Sequence, residues 1–206
     1  MKIRLGTRGS DLALKQTQRV ADSVSGDVET EAVVVETAGD RSESAKYSEI
    51  GGQGVFVREI DARVVDGEVD AAVHSMKDMP TDRPEELEVA AVLERDTPYD
   101  VLVTQEGQEI DELDEGAVVG TSSMRRRAQL RRHRDDLEIE PLRGNVDTRV
   151  GKMAEGDYDA VVLSGAGLER LGDGIDVDYE TQVLHVDRFV PSANQGIIAV
   201  VAVDGS

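Results

Sequence analysis

The chain has 206 residues, 43 acidic against 23 basic side chains and a formal charge of −20. That length allows one or two domains and a sizeable core. Roughly one uncompensated negative charge per ten residues disfavours general nucleic-acid binding, which needs a net basic face. Cysteine is absent, so this chain supplies no disulfide, thiolate metal site or thiol nucleophile.

Residues 1–6 carry no continuous apolar run, and no stretch of 18 apolar residues follows. The expectation is a soluble cytoplasmic protein without membrane contact. Aromatic residues make up 3% and Trp is missing, so the core must be built from Val, Leu, Ile and Ala, and platforms for stacking bases are scarce. Only five of the basic residues are Lys. A surface rich in Asp and Glu and poor in Lys resembles that of proteins from salt-loving organisms, where the medium screens self-repulsion.

Val-rich apolar runs alternate with amphipathic segments ending in Gly, the pattern of βα units around a mostly parallel sheet. Residues 2–5 read as a strand. Ser10 then caps a helix to about residue 24, with Leu12, Val20 and Val24 apolar and Gly26 beyond it. Residues 33–37 form a strand, and residues 55–65 a helix with Phe56, Ile60 and Val64 four apart, stopped by Gly67. Strands follow at 70–74, 89–93, 101–103 and 117–119. A helix is expected at 122–133, a strand at 137–141, and a helix at 145–155 with Asn145 as cap and Gly156 as stop. A strand at 160–163 leads to a short helix ending near Leu171, and strands at 183–186 and 197–203 close the series. Residues 95–98 and 187–191 read as two crossings between lobes, which would return the last strand to the first lobe.

In open α/β sheets, ligands bind beyond the carboxyl ends of strands, at helix N-termini. Four junctions carry suggestive residues: Gly6-Thr-Arg-Gly-Ser10, Gly120-Thr-Ser-Ser123, Leu142-Arg-Gly-Asn145 and Ser164-Gly-Ala-Gly167. Together they describe an anion-binding cleft, although Ser10, Ser122 and Asn145 taken singly could simply cap helices. Six Arg residues, at 125, 126, 127, 131, 132 and 134, fall within ten positions. Arg125 and Arg126 in the first turn can reach a ligand there, whereas Arg131, Arg132 and Arg134 lie about two turns on and suit a solvated face pairing with Asp135 and Asp136. Nucleic acid is the weaker alternative for that face.

Val73-His-Ser-Met-Lys-Asp-Met-Pro80 ends a strand in a polar loop that sets Lys77 beside Asp78. A carboxylate there can accept N–H bonds from a ligand and stabilise a positive intermediate, or can merely form a turn. Gly51-Gly-Gln-Gly54 lacks the spacing of a dinucleotide cradle and reads as a loop. His74, His133 and His185 have no paired-ligand spacing, so no metal site is expected.

These segments resemble the porphobilinogen deaminase, or hydroxymethylbilane synthase, family over nearly the whole chain. The likeness rests on Thr7-Arg-Gly-Ser-Asp-Leu-Ala-Leu14, Gly51-Gly-Gln-Gly-Val-Phe-Val57, Ala72-Val-His-Ser-Met-Lys-Asp-Met-Pro80 and Val119-Gly-Thr-Ser-Ser-Met-Arg-Arg126. Leu142-Arg-Gly-Asn-Val-Asp-Thr-Arg149 and Pro191-Ser-Ala-Asn-Gln-Gly196 complete it.

The resemblance implies an α/β fold of two periplasmic-binding-protein-type (type II) lobes with mixed sheets, joined by two hinge crossings. Domain 1 would be residues 1–95 plus 189–206, and domain 2 residues 98–187. It implies head-to-tail condensation of four porphobilinogens with loss of ammonia, primed by a dipyrromethane cofactor on a Cys of a third domain. That domain and its Cys are expected to be absent here, supplied by a longer chain or a separate one. The resemblance makes Asp78 the catalytic carboxylate. It assigns dipyrromethane binding to Lys77, Asp78, Thr121, Ser123, Arg125 and Arg126, and substrate acetate and propionate binding to Arg8, Ser10, Arg143, Arg149 and Arg170. Partners would be porphobilinogen and the growing polypyrrole. Gln53 stands where bacterial members commonly have Lys, and Asn194 replaces a usual Gly. The competing expectation is a non-catalytic small-anion-binding protein of the same fold.

Overall fold

The structure, a computed structural model, describes residues 1–36 and 54–205. In chain order the described elements begin with β1 (Lys2–Thr7), α1 (Asp11–Ser23), β2 (Glu29–Val34), α2 (Val55–Val65), β3 (Ala71–Ser75) and β4 (Leu87–Val92). They continue with β5 (Asp100–Thr104), β6 (Val118–Gly120), α3 (Met124–His133), β7 (Glu138–Glu140) and α4 (Val146–Ala154). Last come β8 (Ala160–Ser164), α5 (Gly165–Leu171), β9 (Glu180–Leu184) and β10 (Ile198–Val203). The chain forms two compact units, Met1–Arg95 with Ile197–Ser206, and Asp96–Gly196.

Each unit holds a five-stranded sheet, ordered β2-β1-β3-β10-β4 in the first and β7-β6-β8-β5-β9 in the second. The two orders are the same spatial arrangement with a shifted chain order: the fourth strand, β10, comes last in the first unit, and its counterpart β5 comes first in the second. In both, the first three strands are parallel and the fourth, β10 or β5, runs antiparallel to both neighbours, so the sheets are mixed. β3, β5 and β8 are buried nearly throughout, as their unbroken apolar runs require when both faces of a sheet are covered.

Alternation along the strands sorts the core into layers. In the first unit Ala72 packs with Ile60 and Val64 of α2, while Ala71 and Val73 pack with Val20 of α1. In the second, Val161 and Leu163 pack with Val150 and Met153 of α4, while Ala160 and Val162 pack with Leu130 of α3 and Phe189.

The register exposes a likeness between the halves that sequence alone hides. Gly6 pairs with Ala72, and Gly120 with Val161, at matching places in the two sheets. A Cβ on Gly6 would lie 3.0 Å from Ile60 Cγ2, and one on Gly120 2.9 Å from Tyr158 Cδ1, so a side chain at either position would force its neighbour to shift. Each Gly is followed by a buried Thr, Thr7 or Thr121, and then by a Ser, Ser10 or Ser123, that caps the next helix.

Several boundaries depart from the sequence reading. β2 begins at Glu29 rather than residue 33, because it pairs with β1 from Lys2 onward. Thr37 and Gly51 to Gln53 lie outside the described residues. β9 spans Glu180–Leu184 instead of 183–186, held by its register with β5. Residues 189–196, expected with the first domain, belong to the second unit, where Phe189 is 1% exposed in the core. Asn194, where the resemblance expects Gly, has φ +60°, a left-handed conformation that Asn tolerates better than most residues. Among the described residues no helix is long and apolar enough to cross a membrane.

The second unit closes where it opens. Asp96 N–H donates to the Gly196 carbonyl at 3.1 Å, and a Cβ on Gly196, at φ +93°, would stand 2.5 Å from the Asp96 carbonyl oxygen. Gly196→Ala is therefore expected to lower the unfolding free energy by about 2–4 kcal/mol, combining backbone strain with overpacking. Gly156→Ala, at φ +87° with nothing within 4 Å, should lose only about 1 kcal/mol. Urea midpoints for the two variants check the difference.

Candidate functional site

In the first unit, two chain segments present the expected residues. Ser10 accepts the Ala13 N–H at 3.4 Å and so caps α1. Arg8, just before it, is half-buried. β3 ends at Ser75 and runs into a single 3-10 turn, Met76–Asp78, closed by Met79 N–H on the Met76 carbonyl at 3.3 Å. Met76 N–H also donates to the Ile197 carbonyl at 3.0 Å, tying the turn to the start of β10. Lys77 is half-buried and Asp78 is exposed.

Behind this turn, His74 Nε2 and Asp61 Oδ1 lie 2.8 Å apart, both side chains buried. The pair links β3 to α2 and gives His74 a structural partner.

In the second unit, Ser123 rather than Ser122 caps α3, accepting the Arg126 N–H at 3.4 Å. Ser122 instead staples two strand exits: its Oγ donates to the Leu142 carbonyl at 2.7 Å and accepts the Leu142 N–H at 3.1 Å. Thr121 is 5% exposed, and its Oγ1 accepts the Ser123 N–H at 3.3 Å. Asn145 occupies the N-cap position of α4 without a side-chain cap bond.

Arg125 and Arg126 converge on one buried carboxylate. Asp100 is 0% exposed; its Oδ2 accepts Arg125 Nη1 at 2.6 Å, and its Oδ1 accepts Arg126 Nε at 3.0 Å and Nη2 at 2.8 Å. Gln195 Nε2 donates to the same Oδ1 at 3.0 Å. Burial pushes the Asp100 pKa up. The hydrogen bond from Arg125, the charges of Arg126 and Arg125 and the Gln195 amide together outweigh burial and hold it below the ordinary value. Arg126 also donates to the Val162 carbonyl at 3.0 Å and is 7% exposed, so much of its guanidinium ties α3 to β5 and β8.

Arg143 is half-buried on the loop before α4. Arg149 reaches back to the Gly144 carbonyl at 2.8 Å; Gly144 has φ +112°, and a Cβ there would meet Thr148 Cγ2 at 2.8 Å. Arg170 is deeper, its side chain 3% exposed, with Nε on Asp96 Oδ2 at 2.7 Å and Nη2 on the Gly196 carbonyl. It thereby clamps both ends of the second unit.

The outer arginines divide. Arg131 and Arg132 are exposed, whereas Arg134 pairs with Asp136 at 2.6 Å and donates to the Ile110 and Leu113 carbonyls, each at 2.9 Å. His133 lies 2.8 Å from Asp111, which also accepts Arg188 at 2.9 Å. Among the described residues, no three His, Asp or Glu side chains form a group that could hold a metal ion.

Sequence reasoning missed Asp100, Gln195, Ser192 and Asp96. The available signal was a carboxylate opening the apolar run 101–103, but a chain with 43 acidic residues offers many such positions.

A family model described as "Porphobilinogen deaminase, dipyromethane cofactor binding domain" matches residues 3–206. A probable porphobilinogen deaminase of Archaeoglobus fulgidus is 54% identical over 200 residues, covering 97% of this chain and 68% of that protein. One of Methanococcoides burtonii is 53% identical over 198 residues, covering 96% and 63%. The porphobilinogen deaminase of Brevibacillus brevis is 44% identical over 202 residues, covering 97% and 64%. The chain thus spans 63–68% of the length of these relatives. Among solved structures, a double-mutant form of the BvgS VFT2 domain of Bordetella pertussis matches with a TM-score of 0.54 at 15% identity, covering 100% of this chain and 81% of that one. That likeness shows the fold alone: two α/β lobes with mixed sheets, of the periplasmic-binding-protein type II class.

Proposed function

We propose, from the premise that the chain belongs to the porphobilinogen deaminase family, that it carries the catalytic and carboxylate-binding residues of a hydroxymethylbilane synthase. This transferase joins four porphobilinogens head to tail with loss of ammonia. The supporting observation is positional: the motif residues fall at strand-to-helix turns of two units with the same strand arrangement, with Asp78 exposed in the turn after β3.

At each condensation the C–N bond of the aminomethyl group breaks and its electron pair leaves with ammonia. The resulting cationic methylene is attacked by a pyrrole α-carbon, a C–C bond forms, and the α-proton departs. Asp78 stabilises the cation electrostatically and helps remove the proton.

A dipyrromethane bears several carboxylates, and the residues present suit it: Lys77, Thr121, Ser123, Arg125 and Arg126 all carry N–H or O–H donors, with Asp78 to accept pyrrole N–H. When bound, the dipyrromethane supplies the pyrrole carbon at which the product grows. Its thioether link must come from outside these residues, since Cys is absent. Arg8, Ser10, Arg143 and Arg149 take the acetate and propionate groups of substrate, for which the planar Arg fork is well matched. Arg170, enclosed beside Asp96, completes that group from within. The formal charge of −20 does not forbid a polyanionic product: screening lengths of about 10 Å at 0.1 M salt and about 3 Å at 1 M damp remote acids, while contacting Arg side chains keep their effect. We place the reaction in the cytoplasm, and the acidic surface in a salt-rich medium.

Intact-mass analysis after incubation with porphobilinogen tests the reading. The 206-residue chain is expected to show its bare mass and make no hydroxymethylbilane. The chain extended by a Cys-bearing third domain is expected to gain a dipyrromethane adduct and turn over. A stable adduct with sustained product on the unextended chain, or none on the extended one, would refute it.

A further inference from the structure

We infer that Asp100 is a positioning residue: it takes Nη1 of Arg125 while Ser192 takes Nε, which leaves Nη2 to hold one ligand carboxylate end-on. The inference rests on the functional reading above and adds the orientation and donor count of one of its residues.

The donor count follows from the contacts. Arg guanidinium has five N–H hydrogens, one on Nε and two on each Nη. Arg125 Nε donates to Ser192 Oγ at 3.2 Å, and Nη1 donates to Asp100 Oδ2 at 2.6 Å and to the Val190 carbonyl at 2.6 Å. Those three bonds use three hydrogens. Among the described residues no acceptor meets Nη2, and the side chain remains 26% exposed.

Bidentate gripping of a carboxylate uses two parallel N–H bonds from one edge of the guanidinium. Each edge that includes Nη2 shares it with Nε or Nη1, and both of those are already committed. A ligand carboxylate is therefore met by Nη2 alone, in an orientation set by the protein. Asp100 can impose that orientation because it is itself fixed: it is 0% exposed and Arg126 and Gln195 saturate its Oδ1. It also separates two like charges that would otherwise repel, leaving the Arg125, Arg126 and Asp100 group at a net charge of +1.

A double-mutant cycle on the 206-residue chain, with binding of a free dipyrromethane bearing acetate and propionate side chains read by calorimetry and folding by circular dichroism, tests this. Asp100→Asn is expected to weaken binding about tenfold although it makes the site more positive, and to have less than about a twofold effect in an Arg125→Leu background, as expected of residues that act through one another. Tighter or unchanged binding by Asp100→Asn, or an equal loss in both backgrounds, would overturn the inference.

Ser192→Ala keeps the test sharp if Asp100→Asn does not fold. Ser192 is half-buried, and its removal frees Nε, restoring one bidentate edge. Binding is then expected to tighten about threefold or more, in line with the greater strength of bidentate pairs; weaker binding would overturn the donor count. Absence of binding by the parent chain would refute the functional reading and this inference together, whereas parent binding with the wrong variant pattern refutes the inference alone.

Discussion

Arg126→Leu is expected to lower the unfolding free energy by about 3–5 kcal/mol, the range for removing one partner of a buried ion pair. The variant strips Asp100 of two of its bonds and leaves the Val162 carbonyl without the Arg126 donor. Arg125 and Gln195 still reach Asp100, which places the expectation toward the lower end. At about 2–4 °C per kcal/mol for a chain of this size, the melting temperature should fall by roughly 6–12 °C. Arg131→Leu and Arg132→Leu provide the contrast: both side chains are exposed, so each should stay within about 0.5 kcal/mol of the parent. Thermal and urea unfolding decide, and an Arg126→Leu variant that melts with the parent would deny the buried cluster its structural weight. Carboxylate binding by this variant must be measured well below its melting temperature, because loss of ligand and loss of fold otherwise look alike.

Asp78→Asn should act in the opposite way, leaving stability nearly untouched and removing turnover. The side chain is exposed in a turn closed by backbone groups, so the isosteric amide disturbs no packing. It keeps shape and one acceptor but loses the charge that stabilises the cationic methylene and the basicity that accepts a proton. A loss of about 10²–10⁴-fold in rate is the range for a positioned acid–base group. The measurement is porphobilinogen consumption by the chain extended with a Cys-bearing third domain. A rate comparable to the parent would remove Asp78 from the proposed chemistry.

Local features were the most legible part of the sequence. Ser10, the spacing of Ile60 and Val64, and the unbroken runs of β5 and β8 each reflect a constraint that acts within a few residues, and each element formed near its expected place. Pairings between distant residues were harder to read. The start of β2 at Glu29 is set by β1, and its polar, exposed pattern carries no strand signal of its own. The exchange of roles between Ser122 and Ser123 depends on where the Leu142 backbone passes. Arg126 shows the same limit at the candidate site. Its place in the first turn of α3 was readable, but its burial against Asp100 depends on a strand that begins 26 residues earlier. The Arg170 clamp on Asp96 and Gly196 likewise spans 74 and 26 residues, beyond the reach of any local pattern.

The hydrogen bond between Asp96 and Gly196 also says something about how such a chain can be assembled. β4 and β10 are adjacent antiparallel strands, with Leu93 N–H donating to the Ile198 carbonyl at 3.0 Å. Were residues 96–196 excised and Arg95 joined to Ile197, the two strands would become an ordinary β-hairpin. The second unit is thus an insert at the tip of a hairpin, entering and leaving through one point. Neither sheet has to be rethreaded to add or remove it, and new termini opened at that point would leave every strand pairing of both sheets in place.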